Sequence, residues 1–469
     1  MAEKKDNKAK GKNEAETKTT SYVDFLKAKL AEETAKKRGQ VGETNTAGKP
    51  AVAPQSQATK KVSGDGISPE WKDSIKNEKR SNKGAQKQKE DKPKKEGSVL
   101  KRLGFIALSV VLVLVLVVGG YFVFLEMSFS RIEDSKYIQV SANQSNRLVL
   151  GKEYSISTFN IGFGAYSQSF SFFMDEGETM EGVETKGKNA RAFSEEDVLN
   201  NMNGALSLIK TKAESDFYFF QEVDTDSTRS YYVDQRKMIE DSFSGYASSY
   251  AVNSHSKFLF YPLSEPIGTI NSGILTLSKY NVDYSIRRSL KISTGMIDKL
   301  FDLDRCFMVS KLPISGTNKY LVLVNVHLSA YDEGDIRKEQ ISMLYDYMDY
   351  EYNTNGNYVV VGGDFNLLLA GEAGLYNNNM KTPLWCQDLP EGYKAENFAN
   401  IGYKINYDIS ATIGTCRDSS MKYTEGINLE VVIDGFMTSG NITVQEIAVI
   451  DGEFKNSDHN PVRMEFILG

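Results

Sequence analysis

Polar side chains stand where short apolar runs of this sequence end, and they are the residues that could carry chemistry. Asp364 and Asn366 follow the apolar run 359–361 across two glycines. Three β-branched residues in succession predict a strand buried on both faces, and the glycines let the backbone turn sharply after it. A carboxylate at such a point can bind a metal ion or move a proton, and an amide can orient a water or a phosphate oxygen. The segment is equally typical of a Gly-Gly turn followed by an Asx turn.

Other segments repeat this arrangement of an apolar run closed by a polar side chain. They are Asn160 after residues 154–159, Glu222 after residues 217–220, His327 after residues 320–326, and Asp458 with His459 in a loop held by Asn460 and Pro461. Each has an ordinary structural interpretation as a turn former, a return to solvent or a structural histidine. Because the coincidence recurs along one region of the chain, it favours a shared site.

The residue types in this set indicate hydrolysis assisted by a hard metal ion. Carboxylate and amide oxygens suit Mg²⁺ or Mn²⁺, and the set is not the His and Cys combination that a zinc site needs. Glu222 follows four aromatic residues, and a carboxylate there is costly to bury unless it is solvated, paired or bound to a metal. Two histidines with acidic neighbours supply a proton acceptor and a group that stabilises developing charge.

Strands and helices must position these side chains. Aromatic-rich apolar runs predict the strands, and 3.6-residue periodicity predicts the helices between them. We expect strands near residues 154–164, 216–224, 246–261, 271–278, 301–310, 320–329, 359–363, 430–437 and 462–468, and helices near residues 194–209, 233–243 and 336–352. Sheets of α/β domains bind their ligands just beyond the strand ends.

The order of these motifs resembles the endonuclease/exonuclease/phosphatase superfamily. The resemblance covers residues 148–469 and rests on Asn160, Gln221-Glu222, His327, Gly363-Asp364-Phe365-Asn366 and Ser457-Asp458-His459. The Gly-Asp-Phe-Asn and Ser-Asp-His elements, in this order and at this separation, are its specific part. It implies an α/β fold, a four-layer α/β sandwich with two mixed β-sheets and a metal site at one end.

The resemblance also implies a role for each residue of the metal and water site. Glu222 would bind Mg²⁺ or Mn²⁺, helped by Asn160 and Asp458. His459 would act as the base for the attacking water or hold it, and Asp434 would orient His459.

Further roles concern the phosphate and the leaving group. Asp364 would position the nucleophile or serve the leaving group, and Asn366 would orient it. His327 would donate to the phosphoryl oxygens as negative charge builds there. We add Arg305 as a phosphate contact, with an ion pair to Asp304 as the alternative interpretation.

A polar tail and an apolar segment precede this region. Residues 1–98 are poor in large apolar side chains, which predicts disorder, although residues 22–38 have the spacing of a short amphipathic helix. Residues 103–125 contain no charged side chain and, at about 1.5 Å per residue, are long enough to cross a bilayer. Basic residues precede this run, whereas the charges after it nearly cancel. The positive-inside rule therefore predicts a single-pass protein of the cell membrane with a cytoplasmic tail and an extracytoplasmic catalytic domain.

The charge is divided between the tail and the remainder of the chain. Residues 1–102 hold 26 Lys+Arg and 15 Asp+Glu, a balance of +11, so the remainder holds 30 and 47 of the totals of 56 and 62, a balance of −17. A body this acidic lacks the broad basic face that favours polyanion binding. The three cysteines form no disulfide framework and no CxxC metal pair.

The sequence therefore predicts a metal-dependent phosphoester hydrolase and leaves its substrate open between nucleic acid and a phospholipid head group. Membrane tethering favours a phospholipid or sphingomyelin-type phosphodiesterase over a nuclease. A catalytically silent binding module on the same fold is the alternative from a different class. The basic tail could bind anionic lipid or a cytoplasmic partner.

Overall fold

The computed structural model describes residues 97–293, 304–330, 335–377 and 379–469. The predicted disordered tail, with the helical spacing at residues 22–38, lies outside the described residues except for its last two positions. The chain divides into two units, Met1–Val118 and Gly119–Gly469.

The apolar segment forms one long helix, α1, from Gly97 to Ser128. It is longer at both ends than the predicted span of residues 103–125. Among the described residues, it is the one helix that is long and apolar enough to cross a membrane, a finding of length and composition alone.

The chain after α1 contains, within its described residues, four further α-helices and nineteen strands. The helices are α2 Glu195–Lys212, α3 Gln235–Ser242, α4 Asp335–Asp349 and α5 Ala395–Asn400. The strands are β1 Lys136–Ile138, β2 Val140–Ser141, β3 Glu153–Asn160, β4 Glu176–Glu178, β5 Glu184–Lys186, β6 Phe217–Asp224, β7 Ala247–Leu259, β8 Gly268–Ser278, β9 Tyr284–Ser289, β10 Cys306–Pro313, β11 Tyr320–His327, β12 Tyr358–Asp364, β13 Leu375–Tyr376, β14 Tyr403–Asn406, β15 Cys416–Arg417, β16 Glu430–Val431, β17 Asp434–Ser439, β18 Ile442–Val449 and β19 Val462–Leu468.

Most of these strands belong to two seven-stranded sheets. The first has the order β1-β9-β10-β11-β12-β17-β14, and the second has the order β18-β19-β3-β6-β8-β7-β2. Both are mixed, because β11 is parallel to β12 and β3 is parallel to β6, whereas their other neighbours are antiparallel. The predicted α/β fold with two mixed sheets is confirmed.

The side chains of the central strands alternate between two buried faces. In β6, Phe217 and Phe219 lie in the core between the sheets, whereas Tyr218 and Phe220 lie in the core that faces α2 and α3. In β12, Val360 faces the other sheet, and its two valine neighbours pack with α4. Alternation of this kind on both sheets produces four layers, a helix layer on the outer face of each sheet.

Helix α2 begins where the sequence predicted it. The hydroxyl of Ser194 accepts a hydrogen bond from the backbone N–H of Asp197, which satisfies one donor of the first turn. Val198, Met202 and Ile209 then fall on the buried face that packs against the second sheet.

The predicted strand 430–437 is divided between two sheets. Strand β16 pairs with β13 and β15 in a three-stranded sheet, whereas β17 joins the first large sheet. The ladder breaks because Thr415 Oγ1 accepts hydrogen bonds from the backbone N–H groups of Ile433 and Asp434, at 3.0 and 3.1 Å. Asp434 is therefore the first residue of β17 and not, as predicted, a carboxylate in the middle of a strand.

Candidate active site

The two parallel strand pairs bring the predicted residues to one edge of the molecule. In the second sheet, Asn160 is paired with Gln221 at the carboxyl ends of β3 and β6. In the first sheet, His327 is paired with Asp364 at the carboxyl ends of β11 and β12. Parallel strands end together, so each sheet presents two neighbouring side chains at this edge.

Glu222 reaches the edge through an irregularity in β6. The register between β6 and β8 shifts between Phe220 and Val223, and Glu222 has a φ of 55°, in the left-handed region. Such bulges redirect a side chain out of the ladder and are frequent beside active sites. The amide of Asn160 then donates to Glu222 Oε1 at 3.4 Å and to Asp364 Oδ2 at 3.0 Å, which joins the two sheets.

The Gly363-Asp364 turn places the second carboxylate. Gly363 has a φ of 139°, and a Cβ at this position would lie 2.1 Å from the carbonyl oxygen of Val326. Asp364 Oδ1 accepts a hydrogen bond from the backbone N–H of Asn366 at 2.8 Å, which is the Asx geometry, and the Asn366 amide donates to Leu328 O at 2.9 Å. The same segment therefore forms an Asx turn and also places a carboxylate at the site.

His459 lies between two carboxylates. Its Nδ1 is 2.8 Å from Asp434 Oδ2, and its Nε2 is 3.7 Å from Asp364 Oδ2. Ser457 fixes the loop, because its hydroxyl accepts from the His459 backbone N–H at 3.1 Å and donates to Asn160 O at 2.8 Å. The two predicted histidines both approach Asp364, since His327 Nε2 is 3.6 Å from the same Oδ2.

The charge states of these groups follow from burial and from their neighbours. Burial and the Asp434 carboxylate raise the pKa of Asp364 to about 7. Burial opposes the protonated form of His459, but Asp434 and then Cys416 raise its pKa well above the ordinary value. Asp364 and His459 can therefore both hold a proton near neutral pH.

His327 has the opposite electrostatic environment. Burial, together with the positive charges of Arg305, His459 and Arg229, lowers the pKa of His327 well below its ordinary value. Among the described residues, its buried Nδ1 finds no hydrogen-bond partner. A neutral imidazole has one N–H, so His327 can donate a single hydrogen bond into the site.

The donor set of this edge fits a divalent cation. Burial raises the pKa of Asp458 to about 6, and the negative charge of Glu222 acts in the same direction. Cys416, Asp458 and His459 each offer a ligand atom within 4.8 Å of one another, as do Asp364, Asp434 and His459, and Asp434 Oδ1 is buried without a hydrogen-bond partner among the described residues. Carboxylates that repel one another around a common space, one of them with a buried oxygen that lacks a hydrogen-bond partner, are typical of a site for a hard cation.

A cleft of about 150 Å³ opens over these residues. Its polar lining residues include Glu222, Arg229, Arg305, His327, Asp364, Asn366, Asp458 and His459. Its apolar lining residues include Phe163, Tyr166, Phe172, Met174, Ala190, Ile267 and Ile270. Seven of the nine predicted site residues line the cleft, and Asn160 and Asp434 contact its lining through the hydrogen bonds given above.

Arg229 is a cleft residue that the sequence did not indicate. Its guanidinium donates to both oxygens of Asp224, at 3.0 and 2.9 Å, and lies 3.9 Å from the ring centre of Phe163. Its Nη2 is also 3.7 Å from Glu222 Oε2. No sequence motif marks Arg229. It lies in a loop after β6, and only the path of that loop brings it back to Glu222.

His255 lies outside the cleft lining and has a structural contact. Its Nε2 contacts the buried carboxylate of Asp304. Asp304 Oδ1 also accepts from the backbone N–H of Ile132 at 3.0 Å and from Arg131 Nε at 3.3 Å. The Asp304 carboxylate therefore fixes the segment that follows α1 to β7, and it has these partners besides any contact with Arg305.

Comparison with known proteins gave matches among solved structures. No protein-family model matches the sequence, and the search of curated proteins gave no match. An endonuclease/exonuclease/phosphatase from Beutenbergia cavernae matches with 14% identity over 68% of this chain and 72% of that chain, with a TM-score of 0.44. One from Bacteroides vulgatus matches with 17% identity over 68% and 100%, with a TM-score of 0.41. TDP2 from Caenorhabditis elegans matches with 15% identity over 68% and 75%, with a TM-score of 0.40.

Two of these matched structures carry the name of the superfamily that the sequence motifs resemble. At these identities and TM-scores they assign no activity, substrate or metal to the chain.

Proposed function

We propose that this protein is a membrane-anchored, extracytoplasmic hydrolase of phosphodiesters that depends on Mg²⁺ or Mn²⁺. The observation that carries the proposal is the meeting of Glu222, Asp364, Asp458, His327 and His459 in one cleft, at the carboxyl ends of two parallel strand pairs from different sheets. Acids whose pKa values lie near neutrality beside imidazoles are the groups that move protons in hydrolysis.

The cation would be held by Glu222 and Asp458. Asn160, a predicted ligand, uses its amide N–H groups on Glu222 and Asp364, and its Oδ1 accepts from the backbone N–H of Gly162 at 3.0 Å. We therefore assign Asn160 to the positioning of both carboxylates, with its second Oδ1 lone pair still available. A divalent cation at this point would polarise a phosphoryl oxygen and disfavour the protonated form of His459.

His459 and Asp364 would then carry out the two proton transfers of the reaction. An unprotonated His459, oriented by Asp434 through Nδ1, accepts a proton from the attacking water through Nε2. The water oxygen bonds to phosphorus, one P–O ester bond breaks, and Asp364 in its protonated form supplies the proton that the departing alkoxide needs. The products are a phosphomonoester and an alcohol. His327 donates its one N–H to a phosphoryl oxygen, and Arg305 on the cleft wall adds positive charge as negative charge builds.

The membrane anchor rests on α1 and on the charges beside it. Lys101 and Arg102 stand at one end of the uncharged run, and Glu126 stands at the other. The positive-inside rule places residue 101 on the cytoplasmic side and the cleft outside. The division of the chain into tail 1–98, span 103–125 and catalytic region 148–469 is part of this proposal.

The test uses the full-length protein in detergent with bis(p-nitrophenyl) phosphate, a soluble diester. We expect turnover with Mg²⁺ or Mn²⁺, loss on chelation, and recovery when the metal is restored. Glu222→Gln and His459→Ala should each lower kcat by about 10²–10⁴. Glu214→Gln serves as the matched control, because Glu214 is exposed and precedes the amino end of β6, the end opposite Glu222. Wild-type, metal-dependent turnover in both site variants would reject the assignment.

A further inference from the structure

The last two residues of β7 and the connection to β8, together residues 258–267, expose an apolar surface to solvent. We call it the tip loop. Phe260, Tyr261 and Leu263 are 50, 59 and 75% exposed. Its one charged side chain, Glu265, is turned inward, where Oε2 accepts from the backbone N–H of Ala190 at 2.9 Å. A contiguous group of exposed aromatic and aliphatic side chains marks a surface that contacts a partner or a membrane.

The tip loop is fixed to the last turns of α1. The hydroxyl of Tyr121 donates to Phe258 O at 3.1 Å and accepts from the Phe260 backbone N–H at 3.0 Å. The rings of Tyr121 and Phe260 are 5.9 Å apart. Leu125, one turn further along α1, packs in the same apolar cluster as Ile267.

Tyr121 and Leu125 belong to the uncharged apolar run of residues 103–125. A segment that contacts these two side chains therefore lies level with that end of the apolar run. If the run occupies a bilayer, the tip loop lies at its interface, where tyrosine and other aromatic side chains are favoured. The membrane is therefore the partner that this surface fits, and no second protein is needed to cover it.

The same apolar cluster continues into the cleft. Phe172, Met174, Ala190, Ile267 and Ile270 pack in the cluster with Leu125 and also line the cleft. The same cleft is also lined by carboxylates and histidines. A ligand that matches both kinds of lining residue has a charged phosphodiester joined to an apolar body.

We propose that the tip loop and the end of α1 sit in the outer interface of the bilayer and that the cleft takes its phosphodiester from a phospholipid of that membrane. This inference rests on the proposed hydrolase function and names its substrate class. The phosphate of the lipid reaches Glu222 and Asp458, and its apolar part lies along Ile267 and Ile270. Water adds to phosphorus, one of the two P–O ester bonds breaks, and the leaving oxygen departs as an alcohol.

A fluorescent label on the tip loop tests the membrane contact without using activity. The full-length Leu263→Cys protein is labelled with an NBD fluorophore, because the three native cysteines are free but buried. In liposomes of phosphatidylcholine and phosphatidylglycerol we expect blue-shifted emission that spin-labelled lipid quenches. Ile409→Cys is the matched control, since Ile409 is an aliphatic side chain 86% exposed outside the cleft lining and the tip loop, and its label should emit as in water.

The fluorescence result can overturn the contact in two ways. Emission at Leu263 that equals the water-like emission at Ile409 would show that the tip loop does not enter the interface. A blue shift that spin-labelled lipid does not quench would show a protein partner or a second copy instead.

Hydrolysis by a tip-loop variant tests the substrate class. We expect Phe260→Ser/Tyr261→Ser/Leu263→Ser to lower hydrolysis of liposomal phospholipid by about tenfold or more, equivalent to about 1.4 kcal/mol. Its turnover of bis(p-nitrophenyl) phosphate should equal that of the wild type, because the three side chains are not part of the cleft lining.

The two proposals fail in different ways. If the wild type cleaves the soluble diester but no phospholipid, the lipid inference falls and the hydrolase stands. If it cleaves neither substrate with Mg²⁺ or Mn²⁺, the hydrolase falls, and the label at Leu263 still decides the membrane contact. Equal loss of both activities in the triple variant would also contradict the inference.

Discussion

Asp434 controls both the orientation and the protonation of His459. It is 1% exposed, and its Oδ2 lies 2.8 Å from His459 Nδ1, so the Nε2 of the imidazole is directed toward the cleft. Its second oxygen has no hydrogen-bond partner among the described residues, which is costly for a buried carboxylate. Asp364, at the end of the neighbouring strand, differs from it in receiving N–H groups from Asn160 and Asn366.

Asp434→Asn should separate this positioning role from a structural one. We expect kcat for the soluble diester to fall by about 10²–10⁴, because the amide removes the negative charge and presents an N–H to a ring nitrogen that must donate. KM should change little, since Asp434 does not line the cleft. Steady-state kinetics measures both constants.

The matched control is Asp216→Asn. Asp216 is likewise a carboxylate that accepts a hydrogen bond, from the backbone N–H of Ser155 at 3.1 Å, but it precedes β6 at the end remote from Glu222. It should keep wild-type kcat. An Asp434→Asn enzyme with unchanged kcat, or one whose loss lies in KM alone, would contradict the role given to Asp434.

At the scale of elements, the register of β11 on β12 decides where His327 and Asp364 meet. The two residues are paired partners, and Gly363 before Asp364 is paired with Val326 before His327. A side chain at Gly363 would force these strands apart, because its Cβ would lie 2.1 Å from Val326 O. Backbone sterics thus set the separation of two site residues from different strands.

Gly363→Ala is therefore expected to disturb both folding and the site. We expect a loss of about 3 kcal/mol in the free energy of unfolding, from backbone strain at a φ of 139° together with the clash. Urea denaturation followed by tryptophan fluorescence measures it. The remaining folded fraction should show reduced kcat, since His327 and Asp364 would be displaced.

Gly316→Ala isolates the clash from the strain. Gly316 also has a positive φ, 76°, but a Cβ there would meet nothing within 4 Å. It should cost about 1 kcal/mol and leave kcat unchanged. Equal losses in the two variants would show that contact with Val326 does not matter.

The sequence predicted the strands better than it predicted their faces and their breaks. The residues from Phe217 to Phe220 are all apolar because both faces of β6 are buried. Their hydropathy therefore does not distinguish the face that packs on the helices from the face that packs on the other sheet. The break at Ile433 depends on a hydroxyl from Thr415, which is eighteen residues away in sequence. The contact of His255 with Asp304 likewise depends on the approach of distant segments.

Several of the predicted site residues that the structure brings together have a local signal in the sequence. Each of Asn160, His327 and Asp364 ends a strand, and strand ends can be recognised from an apolar run and a polar stop. Arg229 has no such signal, because it follows β6 in a loop and is placed by Asp224 and Phe163. Local pattern predicts where side chains leave the sheet, and only tertiary packing determines which loop side chains join them.

At the scale of the whole molecule, acidic groups are concentrated beyond the anchor and several converge on the cleft. The chain beyond residue 102 has a balance of −17. Within the cleft, the charge of Glu222 contributes to the raised pKa of Asp458, so the folded protein holds these acids together against their repulsion. A cation that binds the folded state should therefore stabilise the whole domain, because the unfolded chain does not assemble the site.

Thermal unfolding with and without Mg²⁺ or Mn²⁺ tests this coupling independently of any substrate. A cation at about 100 times its Kd adds about 2.7 kcal/mol to the free energy of unfolding, and for a domain of this size we expect Tm to rise by about 5 °C. Glu222→Gln should abolish this rise. Exposed Glu214→Gln should behave as the wild type in both states, and a full cation-dependent rise in the Glu222→Gln protein would place the cation elsewhere.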